Sequence, residues 1–238
     1  MQPLISIIIV TYNAANYLQN AIDSVVNQTY KNIELIIIDG ESTDQTVNII
    51  KNNETKITFW KTEKDNGIYD AMNKAVKYCK GDFYLFLGAD DILYNTLHEV
   101  IHSITNLNCL YYGNVYFEKD KTIYDGPFDS KKIVIKNICH QAILYPKAVF
   151  DKYTYNLKYK IRADHYLNLQ CFVDKDIEFQ YIPITIAQFS AGGTSSSAVD
   201  KEFNNDRLTF IKTHFNSRIY YYCRLRSLLS QTLKKLPN

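Results

Sequence analysis

The chain has no Cys-x-x-Cys pair, and its cysteines are odd in number, five in all. Neither a disulfide framework nor a thiolate zinc site is indicated, so Cys79, Cys109, Cys139, Cys171 and Cys223 read as reduced thiols of a cytosolic protein. No segment after a strand carries Gly-x-Gly-x-x-Gly or Gly-x-x-x-x-Gly-Lys-Ser/Thr, which leaves dinucleotide redox chemistry and P-loop phosphoryl transfer unsupported. The first apolar run, Leu4–Val10, has no Lys or Arg before it and stops at Thr11-Tyr12-Asn13. It is too short for a spanning helix or a usual secretory signal and reads as a core strand. Acidic residues are missing from one end. From Arg207 onward there are seven Lys/Arg and no Asp/Glu, whereas residues 1–206 hold 20 basic against 25 acidic side chains.

What is present is ample apolar material. With 46% apolar residues in a chain of 238, one full core can be buried, as one domain or one domain with an appendage. Twenty Tyr and twelve Phe exceed the needs of such a core and point to a cleft or a non-aqueous surface.

Leu4–Val10 and Ile33–Ile38 are continuous apolar runs, the pattern of parallel strands covered on both faces. Between them Leu18, Ala21, Ile22, Val25 and Val26 recur at helical spacing, completing a β-α-β unit. Ser42 and Gln45 have capping-box spacing for a helix to about Lys51, and Ile57–Trp60 is a short strand. Asp70 suits the cap of a helix carrying Met72, Ala75, Val76 and Cys79, and Phe83–Leu87 is the next buried strand. Later, Tyr111–Phe117 reads as a strand, Asp164–Val173 as a helix, and Ile177–Ile182 as a strand leading to Ala187–Phe189. A helical stretch from about Asp200 to Leu233 closes the chain. The fold class expected is α/β, a Rossmann-like doubly wound mixed sheet with a C-terminal helical extension.

In open α/β sheets ligands bind beyond the carboxyl ends of the strands. Those ends read Thr11-Tyr12-Asn13, Asp39-Gly40-Glu41, Lys64-Asp65-Asn66-Gly67 and Ala89-Asp90-Asp91. Any one of them could be an ordinary polar loop. Together, with adjacent carboxylates closing a buried strand, they describe a site. A carboxylate pair there is costly without a cation, and a divalent ion carrying a diphosphate is a common companion.

The chain resembles the family 2 inverting glycosyltransferases of the GT-A fold. The residues that carry the resemblance are Ser6-Ile7-Ile8-Ile9-Val10-Thr11-Tyr12-Asn13, Ser24–Tyr30, Ile38–Asp44 and the run from Asp65 to Asp91 with Gly-Ile-Tyr-Asp-Ala-Met-Asn-Lys. It is most similar to the bacterial subgroup that assembles O-antigen, capsule and exopolysaccharide. The resemblance implies a nucleotide-diphosphate sugar donor, UDP-linked in the simplest case, a Mn²⁺ or Mg²⁺ cofactor, and a lipid-linked glycan acceptor. It implies that Thr11 and Tyr12 frame the base, with Asn13 beside them, and that Asp39 accepts the base's imide hydrogen. Asp65, Asn66, Asn73, Lys74 and Ala89 join the donor site, although a helix-surface Lys such as Lys74 is equally an ordinary solvated one. Asp90 becomes the metal ligand, and Asp91 a second one, because Gly88 stands where the family's Asp-x-Asp has its first acid.

Inverting transfer requires a base for the acceptor hydroxyl. Asp164 is the residue at the family's position for it, and it could equally cap the helix it begins. His140 and Gln141, and Gly193, Thr194 and Ser195 in a flexible loop, are candidates for acceptor or diphosphate contacts. The expected division is a GT-A domain over residues 1–198, with a donor half (1–95) and an acceptor half (96–198), followed by a basic, aromatic tail (199–238). That tail suits the inner-leaflet surface of the cytoplasmic membrane and not nucleic acid, because the body is acidic. Two rival readings stay open: a nucleotidyltransferase, which lacks its Gly-rich, Arg-containing loop here, and a non-catalytic nucleotide-sugar or glycan-binding protein.

Overall fold

The computed structural model describes residues 2–190 and 200–233, with side chains through residue 227. The Ile-rich runs form β1 (Ile5–Thr11) and β2 (Ile33–Asp39), which pair in parallel from Ile5 opposite Ile33 to Thr11 opposite Asp39. Helix α1 (Leu18–Val26) crosses between them and buries Leu18, Ala21, Ile22 and Val25. Helix α2 (Thr46–Asn52) leads to β3 (Phe59–Thr62) on the far side of β2. Helix α3 (Ile68–Val76) then returns the chain to β4 (Phe83–Gly88), parallel to β1 on its other side. Strand order therefore reverses between β1 and β4, and a crevice opens past their carboxyl ends at such a switch point.

The second half continues the same sheet through β5 (Ile92–Leu93), α4 (Leu97–His102), β6 (Cys109–Phe117), β7 (Thr122–Tyr124), α5 (Ser130–Ile133), β8 (Ile143–Pro146), α6 (Lys147–Lys152), α7 (Ala163–Val173) and β9 (Glu178–Phe189). Among the described residues the order is β3-β2-β1-β4-β8-β6-β9-β5, with β7 paired to β6. Strand β8 runs antiparallel to both β4 and β6, which makes the sheet mixed. The two segments expected around Ile177–Ile182 and Ala187–Phe189 are one strand, β9, with an irregularity: pairing jumps from Tyr112–Tyr181 to Asn114–Thr185. Pro183 falls in that gap and has no N–H to give the ladder. Gly113 faces it, and a Cβ there would lie 2.5 Å from the Ile184 carbonyl oxygen.

Alternate residues of each central strand feed two cores, the arrangement that follows from period-two side chains and helices on both faces. Ile5, Ile7 and Ile9 join Leu85, Leu87 and helices α1 and α4 on one face; Ile8, Val10, Ile36, Ile38 and Phe86 join α3 and α7 on the other. The C-terminal stretch is two helices, α8 (Lys201–His214) and α9 (Ser217–Leu233), parted at Phe215-Asn216. Asp200 caps α8 by accepting from the Phe203 N–H. Phe203, Ile211, Ile219 and Cys223 sit in the α3/α7 core, so α8 and the start of α9 are packed on the body. The opposite side of α9 exposes Tyr221, Tyr222, Leu225, Arg218, Arg224 and Arg226. Among the described residues no helix is long and apolar enough to cross a membrane.

Candidate active site

Asp39, the last residue of β2, is fully buried and accepts three hydrogen bonds, from Ser42 N (3.0 Å), Ser42 Oγ (2.5 Å) and Thr62 Oγ1 (2.7 Å). A carboxylate offers about four lone-pair sites, so one direction is left. Ser42 is not the helix cap its spacing suggested: α2 is led in by Asp44, which accepts from Thr46 N and Oγ1. Ser42 Oγ instead also accepts from Asn13 N (2.8 Å), while Asn13 Oδ1 accepts from Thr43 N (2.9 Å). Asn13 thereby ties the β1 and β2 loops together through its side chain. Thr11 Oγ1 is buried without a partner, and Tyr12 beside it is 64% exposed. An orphaned hydroxyl next to an open aromatic face is what a bound heterocycle with polar edges would satisfy.

Gly40 lets the third loop close on this niche. A Cβ at Gly40 would lie 2.4 Å from Asp65 Oδ2 and 3.5 Å from the Tyr12 ring, so the backbone threads between them. Asp65 Oδ1 accepts from the N–H of Gly67, whose φ of 111° favours glycine. Asn66 and Lys74 are both held by Asp70: Asn66 N donates to its Oδ2 at 2.9 Å, and the Lys74 ammonium lies 3.2 Å from it while donating to the Lys64 carbonyl. Asp70 itself lies inside the first turn of α3, not at its cap, which is Gly67. Asn73 faces elsewhere. Its amide pairs twice with the Tyr155 backbone, at 2.8 and 2.9 Å, and so fastens α3 to the loop before α7.

The adjacent carboxylates after β4 are unequal. Asp91 is 1% exposed and accepts from Gln141 Nε2 (2.8 Å) and Ser190 N (3.0 Å), and burial pushes its carboxyl up to about 6. Both oxygens accept from protein donors, so Asp91 is a structural hub, with about two of its four lone-pair sites left for the second metal-ligand role expected of it. Asp90 is less buried; burial raises its carboxyl, opposed only by its own backbone N–H. Gly88 now has a physical reason. A Cβ there would lie 2.4 Å from Asp91 Oδ2 and 3.0 Å from Asp90 Oδ1, so the folded-back Asp91 occupies the space of the missing acid. Among the described residues no group of three or more His, Cys, Asp or Glu could hold a metal by itself. A single half-buried carboxylate fits an ion that arrives with a diphosphate, since Mg²⁺-type ions take one or two carboxylates and fill the remainder with phosphate and water.

Gln141 joins this hub to the other predicted carboxylate. It lies in the 3₁₀ turn His140–Ala142 beside His140, whose Nδ1 is 3.2 Å from Asp164 Oδ2. Asp164 sits in the first turn of α7, where the helix dipole favours an anion, in the second position of a helix whose N-cap is Arg162. It accepts from Tyr69 Oη (2.9 Å), His165 N (2.8 Å) and Asn137 Nδ2 (2.8 Å). Burial alone would raise its carboxyl; the hydrogen bond and charge of His140, then Tyr69, outweigh burial and hold it below the ordinary value. His165 is excluded from the site, because its Nε2 bonds the Ile133 carbonyl and burial pushes its imidazole down to about 4. Tyr69, Asn137, Ser42 and Thr62 are the site partners the sequence reading missed. Tyr69 was in view within the Gly-Ile-Tyr-Asp motif, whereas Asn137 carries no local signal. Gly193, Thr194 and Ser195 lie outside the described residues.

The mixed sheet thus gathers polar strand ends, a half-buried carboxylate and a His-Asp pair along one switch-point crevice. The glycosyl transferase family 2 model matches residues 6–217, and the chain belongs to that family. A PGL/p-HBAD biosynthesis glycosyltransferase of Mycobacterium bovis is 39% identical over 211 residues, covering 84% of this chain and 82% of the relative. A Rickettsia prowazekii glycosyltransferase without an assigned reaction is 30% identical, covering 84% and 68%. Among solved structures, S. aureus TarS 1–349 in complex with UDP-GlcNAc superimposes with a TM-score of 0.72 at 17% identity, over 89% of this chain and 66% of that one. The mannosyltransferase PcManGT of Pyrobaculum calidifontis, in complex with GDP-Man and Mn²⁺, gives 0.61 at 15%, over 95% and 65%. The chain thus spans just under two thirds of those solved chains. These likenesses establish the GT-A fold, and the family makes the protein a glycosyltransferase.

Proposed function

We propose that the chain transfers a sugar, with inversion, from a nucleotide-diphosphate donor, UDP-linked, to a hydroxyl of a lipid-linked glycan. The observation that carries this reading is the niche at the β1/β4 switch point, where open Tyr12 and Asp65 close on Gly40, buried Asp39 and orphaned Thr11 end the adjoining strands, and Asp90 stands past the next strand end. Tyr12 offers a stacking face, and the free lone pair of Asp39 an acceptor for an imide N–H. Asp90 would hold Mn²⁺ or Mg²⁺, which would supply charge stabilisation to the departing diphosphate. The chain's own work is to bind the base, orient the anomeric carbon and remove the acceptor proton at the Asp164–His140 pair. Donor-bound TarS and PcManGT support a nucleotide sugar.

The lipid-linked acceptor and the inner membrane face rest on α9, whose exposed side combines Arg218, Arg224 and Arg226 with Tyr221, Tyr222 and Leu225. A shallow groove of about 440 Å³ between Tyr222 and the Phe128–Lys132 segment lies on that side of the molecule. Surface polysaccharide assembly, O-antigen or capsule, is the context we propose; the mycobacterial relative's name places it in PGL/p-HBAD biosynthesis. The test is a panel of UDP- and GDP-sugars with Mn²⁺, read as nucleotide release. Metal-dependent turnover of a UDP-sugar is expected, and tight UDP binding with no turnover of any donor would return the chain to a binding protein.

A further inference from the structure

Helix α4 carries His98-Glu99-Val100-Ile101-His102, a His-Glu-x-x-His pattern that the crevice does not use. Imidazoles four residues apart lie on one face of a helix, which is how this pattern chelates zinc. The structure keeps that geometry. Val100 and Ile101 are buried, whereas His98 and His102 are exposed, with ring centroids 4.6 Å apart and planes at 73°. Both rings line one depression of about 400 Å³ together with Gln2, Tyr30, Ile101 and Ile104. Gln2 precedes β1 and Tyr30 precedes β2, and the Tyr30 hydroxyl donates to the Pro3 carbonyl at 2.6 Å. The depression therefore lies at the amino ends of these strands, opposite the crevice at their carboxyl ends.

The hydrogen bonding leaves a nitrogen lone pair on offer. His102 Nδ1 lies 2.6 Å from the His98 carbonyl oxygen. A carbonyl only accepts, so Nδ1 carries the proton and Nε2 keeps its lone pair. Metal-binding histidines are commonly fixed in this way, by giving the other ring N–H to a backbone carbonyl or a carboxylate. The His98 ring packs against His102 and makes no hydrogen bond among the described residues. His214 supplies an internal contrast. Its Nδ1 likewise bonds a carbonyl one turn back, at 3.0 Å, but that residue is Phe210, so no second imidazole stands beside it.

We propose that His98 and His102 form a Zn²⁺ site, separate from the carboxylate at Asp90 and independent of the glycosyltransferase reading. Imidazole suits zinc, whereas Mn²⁺ and Mg²⁺ favour oxygen ligands, so the two ends of the sheet would select different ions. Among the described residues no third His, Cys, Asp or Glu joins the pair, and water completes the coordination. Glu99 does not line the depression. The pattern thus holds an ion without the general base of a zinc hydrolase, and the role is binding, not hydrolysis. Because the ligands are the second and last residues of a six-residue helix, the ion would clasp α4 from end to end.

Zn²⁺ calorimetry on the full chain tests the site, with a phosphine reductant keeping the thiols reduced and excess Mn²⁺ on Asp90. Wild type, Glu99→Gln and His214→Gln should bind Zn²⁺ alike, and His98→Gln and His102→Gln at least ~10-fold more weakly. Both histidines are exposed, so the metal-free variants should keep the wild-type urea midpoint, which separates a lost ligand from a lost fold. Nitrogen-15 histidine NMR at about pH 8 should show His102 with Nδ1 protonated and Nε2 bare, and the signals of both His98 and His102 should move with Zn²⁺. Equal affinity in wild type and both histidine variants would put the ion on thiols or carboxylates and overturn the proposal. So would the absence of saturable binding by wild type, or a loss in Glu99→Gln as large as in the histidine variants.

Discussion

Restoring the family's missing acid should damage this protein. In Gly88→Asp the new Cβ would lie 2.4 Å from Asp91 Oδ2, and that oxygen cannot swing away freely because Gln141 holds it, while Ser190 holds the other. Each of these charge-assisted bonds is worth about 1.5–3 kcal/mol, so the displacement that even Gly88→Ala forces costs about 2–4 kcal/mol. A third carboxylate within about 4 Å of the other two adds a repulsion on the order of 4 kcal/mol with each of them at an effective dielectric of 20, before a bound cation offsets part of it. Urea denaturation of wild type, Gly88→Ala and Gly88→Asp at pH 7.5, with and without Mn²⁺, reads these terms. Both variants should unfold at lower urea, Gly88→Asp most of all, and both should release nucleotide more slowly because Gln141 and the adjoining His140 turn shift with Asp91. A Gly88→Asp protein with the wild-type midpoint and tighter Mn²⁺ binding would show that the space at residue 88 is free, and would refute the assignment of Asp91 as a structural hub.

Asp91 makes its own pH signature. Its folded value of about 6 lies above an ordinary 3.8, so the folded chain holds this proton more tightly. The stabilisation is full below about pH 4 and is lost as pH rises through 6, roughly 3 kcal/mol in all. Without divalent cation, Asp91→Asn should flatten that slope in denaturation curves from pH 4 to 7; an unchanged slope would place the titration elsewhere. Asn73→Ala leaves the Tyr155 N–H and C=O unpaired and should destabilise by ~2–4 kcal/mol while UDP affinity by calorimetry moves less than about twofold. Loss of UDP binding without loss of stability would restore Asn73 to the donor site. Reversing Arg224 and Arg226 to Glu should weaken co-sedimentation with anionic phosphatidylglycerol vesicles by at least ~30-fold, at about 1 kcal/mol per cation removed, and the wild-type binding should fall with salt. Equal binding of the variant would leave α9 as a solvated face.

The parallel half of the fold was readable from sequence because β1, β2 and β4 are buried on both sides, which writes them as unbroken Ile and Leu runs around an amphipathic α1. The second half was harder for a physical reason. Strand β9 looked like two segments because Pro183 interrupts it, and only pairing with β6 across the Gly113 irregularity holds it as one. The tail read as an appendage because its charges are so uneven, while four residues, Phe203, Ile211, Ile219 and Cys223, decide that it packs. At the site, strand-end positions singled out Asp39 and Asp90, and the family resemblance singled out Asp164. Sequence could not tell the environments of Asp90 and Asp91 apart, since the difference is made by Gln141 reaching Asp91 from 50 residues away. Nor could it reveal what holds Asp164, because Asn137, which donates to it from 27 residues away, belongs to no recognisable pattern.

The central claim is that this family 2 chain binds a nucleotide-diphosphate sugar at the β1/β4 crevice with its metal on Asp90. Nucleotide release from UDP-sugars by wild type and Asp90→Asn, across a Mn²⁺ titration, tests it most directly. The account predicts Mn²⁺-dependent release by wild type and a loss of ~100-fold or more in Asp90→Asn, whose folding midpoint stays within about 1 kcal/mol of wild type. Turnover that is the same in Asp90→Asn, or that ignores Mn²⁺, would contradict it.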